Sequence, residues 1–583
     1  MPVNPNWILE PLSAIISNTL KSQGLDIAPR NITPLLESPA DVKLGDVALP
    51  CFSFAKALKQ SPIKIATSLA ETLKSQLPDM VLEAKAVQGF LNIFLKPEYL
   101  ATELVPALLN ASYFTLCSKS FDDPKRRVMI EFSNPNTHKE FHVGHLRNVC
   151  LGDSISRMFR YLGYDVVPVN YIGDEGTHVA KCLWQTGFEQ APGPEDRATL
   201  WYGKRYVEAN ARLKEASTEL KPKLEKEVSQ VLHEIEKKAG PYYQLWLKSK
   251  KECLEDFKNI YAWLGAHFEH DFFESEVSEG CQKIVDDWLA KGLFYESDGA
   301  IGVSLETEGL GFFMARKSDG TSLYITKDLE LAKRKFEHFG IDRSIYVVGN
   351  EQNFHFKQLF CVLNKMGFKN AENCIHLSYA HVNLVSGKIS SRQGNAYAFY
   401  SLKELLESEL DPYLAKYEAA WTTSEMQEAR RKLAIAAIKY GMLAADPNKE
   451  ITFDPAVWTS FEGNTGPYLL YAYSRSQSIL EKGGISKNAD LNLLTSEEEK
   501  QLLLKLLGFN SIITKACLNY RPSTLANYLY ELAKCFNRFY AGVAVLKAET
   551  EALRQARLAL VESFGVALKQ GLELLGIEAL DKM

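Results

Sequence analysis

Two imidazoles flank a glycine in His142-Val143-Gly144-His145, just after a short apolar strand ending in Glu131-Phe132-Ser133-Asn134-Pro135-Asn136. A helix that starts here offers free backbone N–H groups and the positive end of its dipole, which attract anions. Gly144 lets a large ligand approach the backbone where a Cβ would intrude. Together these features suit a nucleotide triphosphate. The same histidines also fit a zinc pair or plain helix-cap polarity, although no cysteine lies nearby at ligand spacing. Far downstream, Gly387-Lys388-Ile389-Ser390-Ser391-Arg392-Gln393-Gly394-Asn395 is small, hydroxyl-bearing, doubly cationic and bounded by glycines. Such a loop, with Lys388, Ser390 and Ser391, suits transient clamping of phosphates as charge develops on them. A surface turn is the alternative. It is not a Walker motif, because Ile389 stands where a Ser or Thr would follow Gly387-Lys388.

The neighbouring segments supply the scaffold. Leu146, Val149, Ile155, Met158 and Leu162 recur at helical spacing, Gly163 suits a helix stop, and a second strand runs from Asp165 to Tyr171. Residues 127–171 therefore read as a strand–helix–strand unit of the doubly wound kind. Ligands of such sheets sit beyond the strand carboxyl ends, where Glu131 to His145 would lie. The pattern is interrupted from 183 to 309, where Leu224, Val228, Val231 and Ile235 line one face of an amphipathic helix with a solvated charged face. It resumes with Ile345-Tyr346-Val347-Val348, a buried strand ending at Gly349.

The expected fold is α/β, a split doubly wound parallel sheet with a Rossmann-like catalytic core, an N-terminal α/β domain and a C-terminal all-α domain. The expected divisions are 1–115, the N-terminal domain; 125–182, the first half of the core; 183–309, an insertion; 310–400, the second half with its loop; 401–449, a helical connection; and 450–583, the helical domain.

Composition narrows the class. A chain of 583 residues, 46% apolar and 24% charged, is that of an ordinary globular protein of several domains. The net charge of −5 means that any surface for a polyanion is local. The ten cysteines are scattered without a CxxC, so free thiols in a reducing compartment are expected, and no metal site is read. No apolar run approaches membrane-spanning length, and Met1 to Gln23 lacks a signal pattern; a cytoplasmic protein with no membrane partner is expected.

The stretches EFSNPNTHKEFHVGHLRN, NYIGDEGTH, YITKDLELA, YVVGNEQNFHFKQLF, GKISSRQGN and FEGNTGPYLLYAYSRS occur in one order along nearly the whole chain. An HxGH turn in the first half of a split nucleotide fold and a KxSSR loop ending the second resemble class I aminoacyl-tRNA synthetases. The full set resembles the arginyl-tRNA synthetase family. The resemblance implies ATP as substrate, accompanied by Mg2+, with L-arginine and tRNA(Arg) as partners, and a monomer is expected. It also implies that Glu131, Tyr324 and Asp328 hold the guanidinium, and that Asn136, His142 and Gln352 hold the α-amino and carboxylate end.

A planar, permanently charged group needs carboxylates and flat partners of that kind. Taken without the resemblance, Glu131 is also a strand-end surface carboxylate, Asp328 a first-turn residue after a Thr326 N-cap, and Gln352 a loop amide. His142 and His145 are assigned to the triphosphate, Gly144 to the room for adenosine, and Lys388 to the leaving pyrophosphate. Arg392 stands where the generic pattern has a second lysine; the resemblance implies Lys139 as its substitute and leaves the role of Arg392 open. Tyr468, Tyr471 and Tyr473, and likewise Phe536, Arg538 and Tyr540, fit either base stacking or helix packing. Rival readings are a small nucleotidyltransferase, which is usually shorter; a tRNA-binding regulator, which would not need these catalytic residues; and a cysteinyl enzyme, which needs a zinc thiolate site.

Overall fold

The computed structural model describes residues 7–583 apart from 38, 40, 77, 116–125, 194, 319–323, 386, 389–397 and 485–488, with side chains described except at 7, 42, 279, 324, 387 and 388. It divides into two compact units: Met1–Pro124, Met158–Gly163 and Ser460–Met583 form one, and Lys125–Arg157 with Tyr164–Thr459 forms the other.

In the first unit, strands β1 (Val47–Pro50), β2 (Val81–Val87) and β3 (Phe90–Leu95) form an antiparallel sheet in the order β1-β3-β2. The β2–β3 hairpin turns on Gln88 and Gly89, both left-handed at φ 52° and 85°, the geometry that matches the strands' own twist. Leu12, Ile16 and Leu20, at a helical period in Glu10–Ser22, are buried. The helices Gly466–Gly483, Glu497–Leu507, Phe509–Leu518, Pro522–Gly542 and Glu551–Leu574 complete this unit. Phe536 and Phe564 stack there at 3.8 Å between ring centres.

The N-terminal and C-terminal parts, expected as separate domains, share buried polar contacts. Lys500 Nζ lies 2.7 Å from Asp46 Oδ2, and the Tyr113 hydroxyl donates to Leu507 O at 2.7 Å. The stretch Glu497–Leu518 is apolar and long enough to cross a membrane by composition. It consists of two helices that meet at Gly508, each with a buried face in this unit.

The second unit holds a parallel sheet in the order β11-β10-β4-β5-β6: β4 is Arg127–Glu131, β5 Asp165–Ile172, β6 His270–Phe273, β10 Arg343–Gly349 and β11 Cys374–Tyr379. The chain winds outward from β4 through β5 to β6 and returns on the other side through β10 and β11. The order therefore reverses between β4 and β10, and a crevice for ligands opens there at the strand carboxyl ends. Between β6 and β10, strands β7 (Tyr295–Ser297), β8 (Ala300–Ser304) and β9 (Phe312–Arg316) make an antiparallel sheet.

The segment expected as one insertion, 183–309, thus contributes β6 to the core sheet. β6 is four residues long and only partly buried, so it carries no apolar alternation to read. Lys221–Glu236 buries Leu224, Val228, Val231 and Ile235, the face expected from their spacing. At the far end, Ile451–Phe453 (β14) pairs with Val382–Leu384 (β12), and β12 also pairs with Gly387–Lys388 (β13). This strand belongs to the core unit, which ends at Thr459, so the helical part begins about ten residues later than the expected 450.

Candidate active site

The segment between β4 and the helix Val143–Tyr161 is held in a costly backbone conformation. Ser133, Asn134 and His138 have φ of 77°, 49° and 62°, a region that residues with a Cβ seldom enter. Tertiary hydrogen bonds impose it. Ser133 N donates to Asn148 Oδ1 at 2.8 Å, Asn134 N to Asn170 Oδ1 at 3.0 Å, and Tyr171 N to Asn134 Oδ1 at 3.1 Å. Asn148 also donates to Val347 O in β10 at 2.9 Å, so one amide ties the loop to the strand beyond the crevice. Asn136 bridges Gly173, where a Cβ would come within 2.3 Å of Asn136 Oδ1. Gly152 plays a similar part behind the loop: a Cβ there would lie 2.1 Å from Phe132 Cγ, so only glycine lets the helix press against that ring.

The loop delivers the two histidines in a defined state. His142 Nδ1 accepts the Gly144 N–H at 3.2 Å, and His145 Nδ1 accepts the His142 N–H at 3.1 Å. Each ring therefore carries its proton on Nε2 when neutral. Burial above all, with Lys139 adding to it, brings His142 down to about 4; burial, His142 and Lys139 hold His145 well below the usual imidazole value. The rings lie 4.0 Å apart. At neutral pH they are two uncharged Nε2–H donors at a helix N-terminus, with the Lys139 ammonium in electrostatic reach. Lys139 Nζ also sits over the Tyr206 ring at 5.3 Å.

Acidic side chains gather at the end of β4. Glu131, ending β4, is buried, and its Oε2 lies 2.5 Å from Lys335 Nζ while Oε1 accepts from Asn134 Nδ2 at 3.3 Å. This excludes the surface-carboxylate alternative. Burial raises its pKa, and Lys335 opposes the rise. Tyr324 opens the helix Tyr324–Phe339, and its side chain lies outside the described residues. Thr326, the suggested N-cap, is inside this helix and donates to Ala315 O at 2.6 Å. Asp328 Oδ2 accepts from His355 Nε2 at 2.6 Å. The Tyr171 phenol is held protonated by burial and by Asp328, Glu274 and Glu131. Glu274, partly buried beside Lys327, is raised to about 7, mainly by desolvation. Gln352 is exposed just past the end of β10.

The structure thus places Glu131 and Asp328 within electrostatic reach of each other, and gathers His142, His145 and Lys139 in the same way. Lys388 lies on β13, but its side chain and all of Ser390, Ser391 and Arg392 lie outside the described residues. A residue that sequence reasoning passed over links the two halves. Arg147, buried two positions after His145, donates to Ala380 O at 2.7 Å and His381 O at 3.1 Å through Nη1. Through Nη2 it donates to Pro447 O at 3.1 Å and Lys449 O at 2.7 Å. These carbonyls precede β12 and β14, so the helix that presents His145 also anchors the sheet that carries Lys388. A guanidinium fork can bind several carbonyls at once, which an ammonium cannot do with the same geometry. Among the described residues, no group of three His, Cys, Asp or Glu side chains could hold a metal ion.

His138 gives this loop a pH signature. Its ring is fully buried between Thr137 Oγ1 at 2.9 Å and Ser249 Oγ at 2.8 Å, and burial lowers it to about 3. Below the unfolded value near 6.5 the unfolded chain takes up a proton that the folded chain refuses. Stability therefore falls with decreasing pH, by about 1.4 kcal/mol per unit for this group. Between pH 6.5 and pH 5 the loss is about 2 kcal/mol. Urea unfolding of His138→Gln should show a shallower decline over that range by one proton's slope. An unchanged slope would show that His138 does not carry it.

Three family models match the chain in order: the arginyl tRNA synthetase N terminal domain over residues 10–95, the class I (R) tRNA synthetase catalytic domain over 107–454, and the DALR anticodon binding domain over 469–583. An arginine–tRNA ligase of Bdellovibrio bacteriovorus is 41% identical over 95% of each chain. One from Treponema denticola is 36% identical over 98% of each. The solved Thermus thermophilus arginyl-tRNA synthetase superposes with a TM-score of 0.82 at 27% identity, covering 98% of this chain and 99% of that one.

Proposed function

The chain belongs to the arginyl-tRNA synthetase family, and we propose that its arginine–tRNA ligase reaction is carried by the two groups of side chains that face the β4–β10 crevice. An oxygen of the arginine carboxylate attacks the α-phosphorus of ATP, the bond to the bridging oxygen of the β-phosphate breaks, and pyrophosphate leaves. A ribose hydroxyl at the end of tRNA(Arg) then attacks the carbonyl carbon of arginyl-adenylate and displaces AMP. The protein supplies no nucleophile, so rate comes from alignment and from groups aimed at developing charge.

His142 and His145 donate Nε2–H to the phosphate oxygens, and Gly144 leaves room for adenosine. Lys139 and Lys388, with Ser390 and Ser391, neutralise and hold the leaving pyrophosphate. Glu131, Tyr324 and Asp328 receive the guanidinium, while Asn136, His142 and Gln352 hold the other end of arginine. The main support is the pairing of neutral imidazole donors at a helix N-terminus with the buried Glu131 carboxylate at the end of the preceding strand. Mg2+ enters with ATP as part of the substrate; the described residues offer it no cage, and no step is routed through it.

The helical domain takes the anticodon. Tyr473 and Phe536 are buried core residues, whereas Tyr471 and Arg538 are exposed and available to bases. The N-terminal domain touches the outer part of the tRNA. The protein acts in the cytoplasm as a monomer. The reading is tested by ATP–pyrophosphate exchange, with tRNA present, using arginine and its neutral isostere citrulline. Exchange with arginine alone is expected; comparable exchange with citrulline would overturn the carboxylate pocket.

A further inference from the structure

Lys335 is one of the least exposed cations among the described residues, and it pairs with the buried Glu131 and not with a surface network. It stands seven residues after Asp328 in the helix Tyr324–Phe339, hence on the same face two turns further on. Its Nζ lies 2.5 Å from Glu131 Oε2 and 3.8 Å from the centre of the Tyr346 ring. Tyr346 is the β10 residue paired across the sheet with Glu131, so one ammonium covers both neighbours at the point where the strand order reverses. Both members of the ion pair are shut off from water, with side chains 0% and 3% exposed. A single buried carboxylate in such a place takes up a proton unless a cation faces it.

We propose that Lys335 is a positioning residue for arginine selection, which keeps Glu131 ionised and fixes its carboxylate plane so that Oε1 stays presented to the substrate guanidinium. This rests on the reading of Glu131 as a guanidinium ligand. Two donors, Lys335 on Oε2 and Asn134 on Oε1, set the plane of the carboxylate. The groups that face Glu131 are Lys335 and Asp328 from the helix, Asn134 from the loop, Tyr171 from β5 and Tyr346 from β10. Among these, Lys335 is the one cation. Burial and Asp328 favour protonation of Glu131, and Lys335 and Asn134 oppose them.

The test is the pH dependence of kcat/KM for arginine in the full-length enzyme with tRNA, for K335M, K335R, E131Q and the double variant E131Q/K335M. In K335M the carboxyl loses its close cation, so its pKa rises and the acid limb moves to higher pH by about one to three units. The KM for arginine at neutral pH rises about tenfold or more, while the KM for ATP stays near that of the parent. K335R keeps a cation at the carboxylate and restores the acid limb. The double variant shows the arginine KM of E131Q alone, because Lys335 acts only through Glu131.

An unshifted acid limb in K335M, or equal loss in K335M and K335R, overturns the inference. An arginine KM of the double variant well above that of E131Q does so as well, and this arm holds even if K335M alone does not fold. An arginine KM unaffected by E131Q removes the reading of Glu131 itself, and the inference with it.

Discussion

Replacing His145 with alanine lowers arginine-dependent ATP–pyrophosphate exchange by roughly two orders of magnitude, or about 3 kcal/mol of transition-state stabilisation. The ring is a fixed, uncharged donor: its Nδ1 is occupied by the His142 N–H, and burial with His142 and Lys139 as neighbours keeps it deprotonated at neutral pH. Its Nε2–H is therefore committed to whatever lies beyond the helix N-terminus. Such a donor gains most as negative charge grows on the phosphate oxygens, so the loss falls on kcat and not on KM for arginine. The same reasoning expects no rate limb near pH 6.5 from this residue, since its titration lies well below that. Exchange within a few-fold of the parent enzyme would remove the imidazoles from the mechanism.

Asp328→Asn produces the complementary defect, raising the KM for arginine by about a hundredfold, close to 3 kcal/mol, and leaving the KM for ATP little changed. Asparagine keeps the shape and can still meet His355, so the helix Tyr324–Phe339 should hold its place. The charge that offsets a guanidinium is lost, and a charged planar fork left half paired in a buried site is costly. Steady-state titration of arginine in the charging reaction reads this directly, and an unchanged arginine KM would show the pocket to be misassigned.

The strand–helix–strand unit from 127 to 171 was readable because the apolar period changes from strand to helix and a glycine closes the helix at Gly163, where φ is 85°. The histidines were readable because type and spacing alone imply a helix-start anion site. What escaped reading depends on tertiary placement. Strands β6 and β14 are short pieces whose sheet partners lie 101 and 69 residues earlier in the chain, as Phe272 with Tyr171 and Ile451 with Val382. Nothing local marks them as core.

Lys335 sits in a Lys-Arg-Lys run that reads as a solvated helix face, and only its distance of seven from Asp328 hints that it turns inward. Arg147 looks like a helix-surface cation until its carbonyl partners at 380–381 and 447–449 are in place. The tyrosines after Gly466 share one helix, yet Tyr473 is core, bonded through its hydroxyl to Asp581 at 3.1 Å, and Tyr471 is exposed. Aromatic composition alone does not separate base-stacking faces from packing ones.

The central claim is that one crevice selects arginine, activates it with ATP and hands it to tRNA. Charging unfractionated tRNA with each radiolabelled proteinogenic amino acid in turn, with ATP and magnesium present, tests all of this at once. Label entering tRNA from arginine alone, and lost in Asp328→Asn at low arginine concentration, is the predicted result. Charging by a different amino acid, or arginine charging that is indifferent to Asp328, would contradict it.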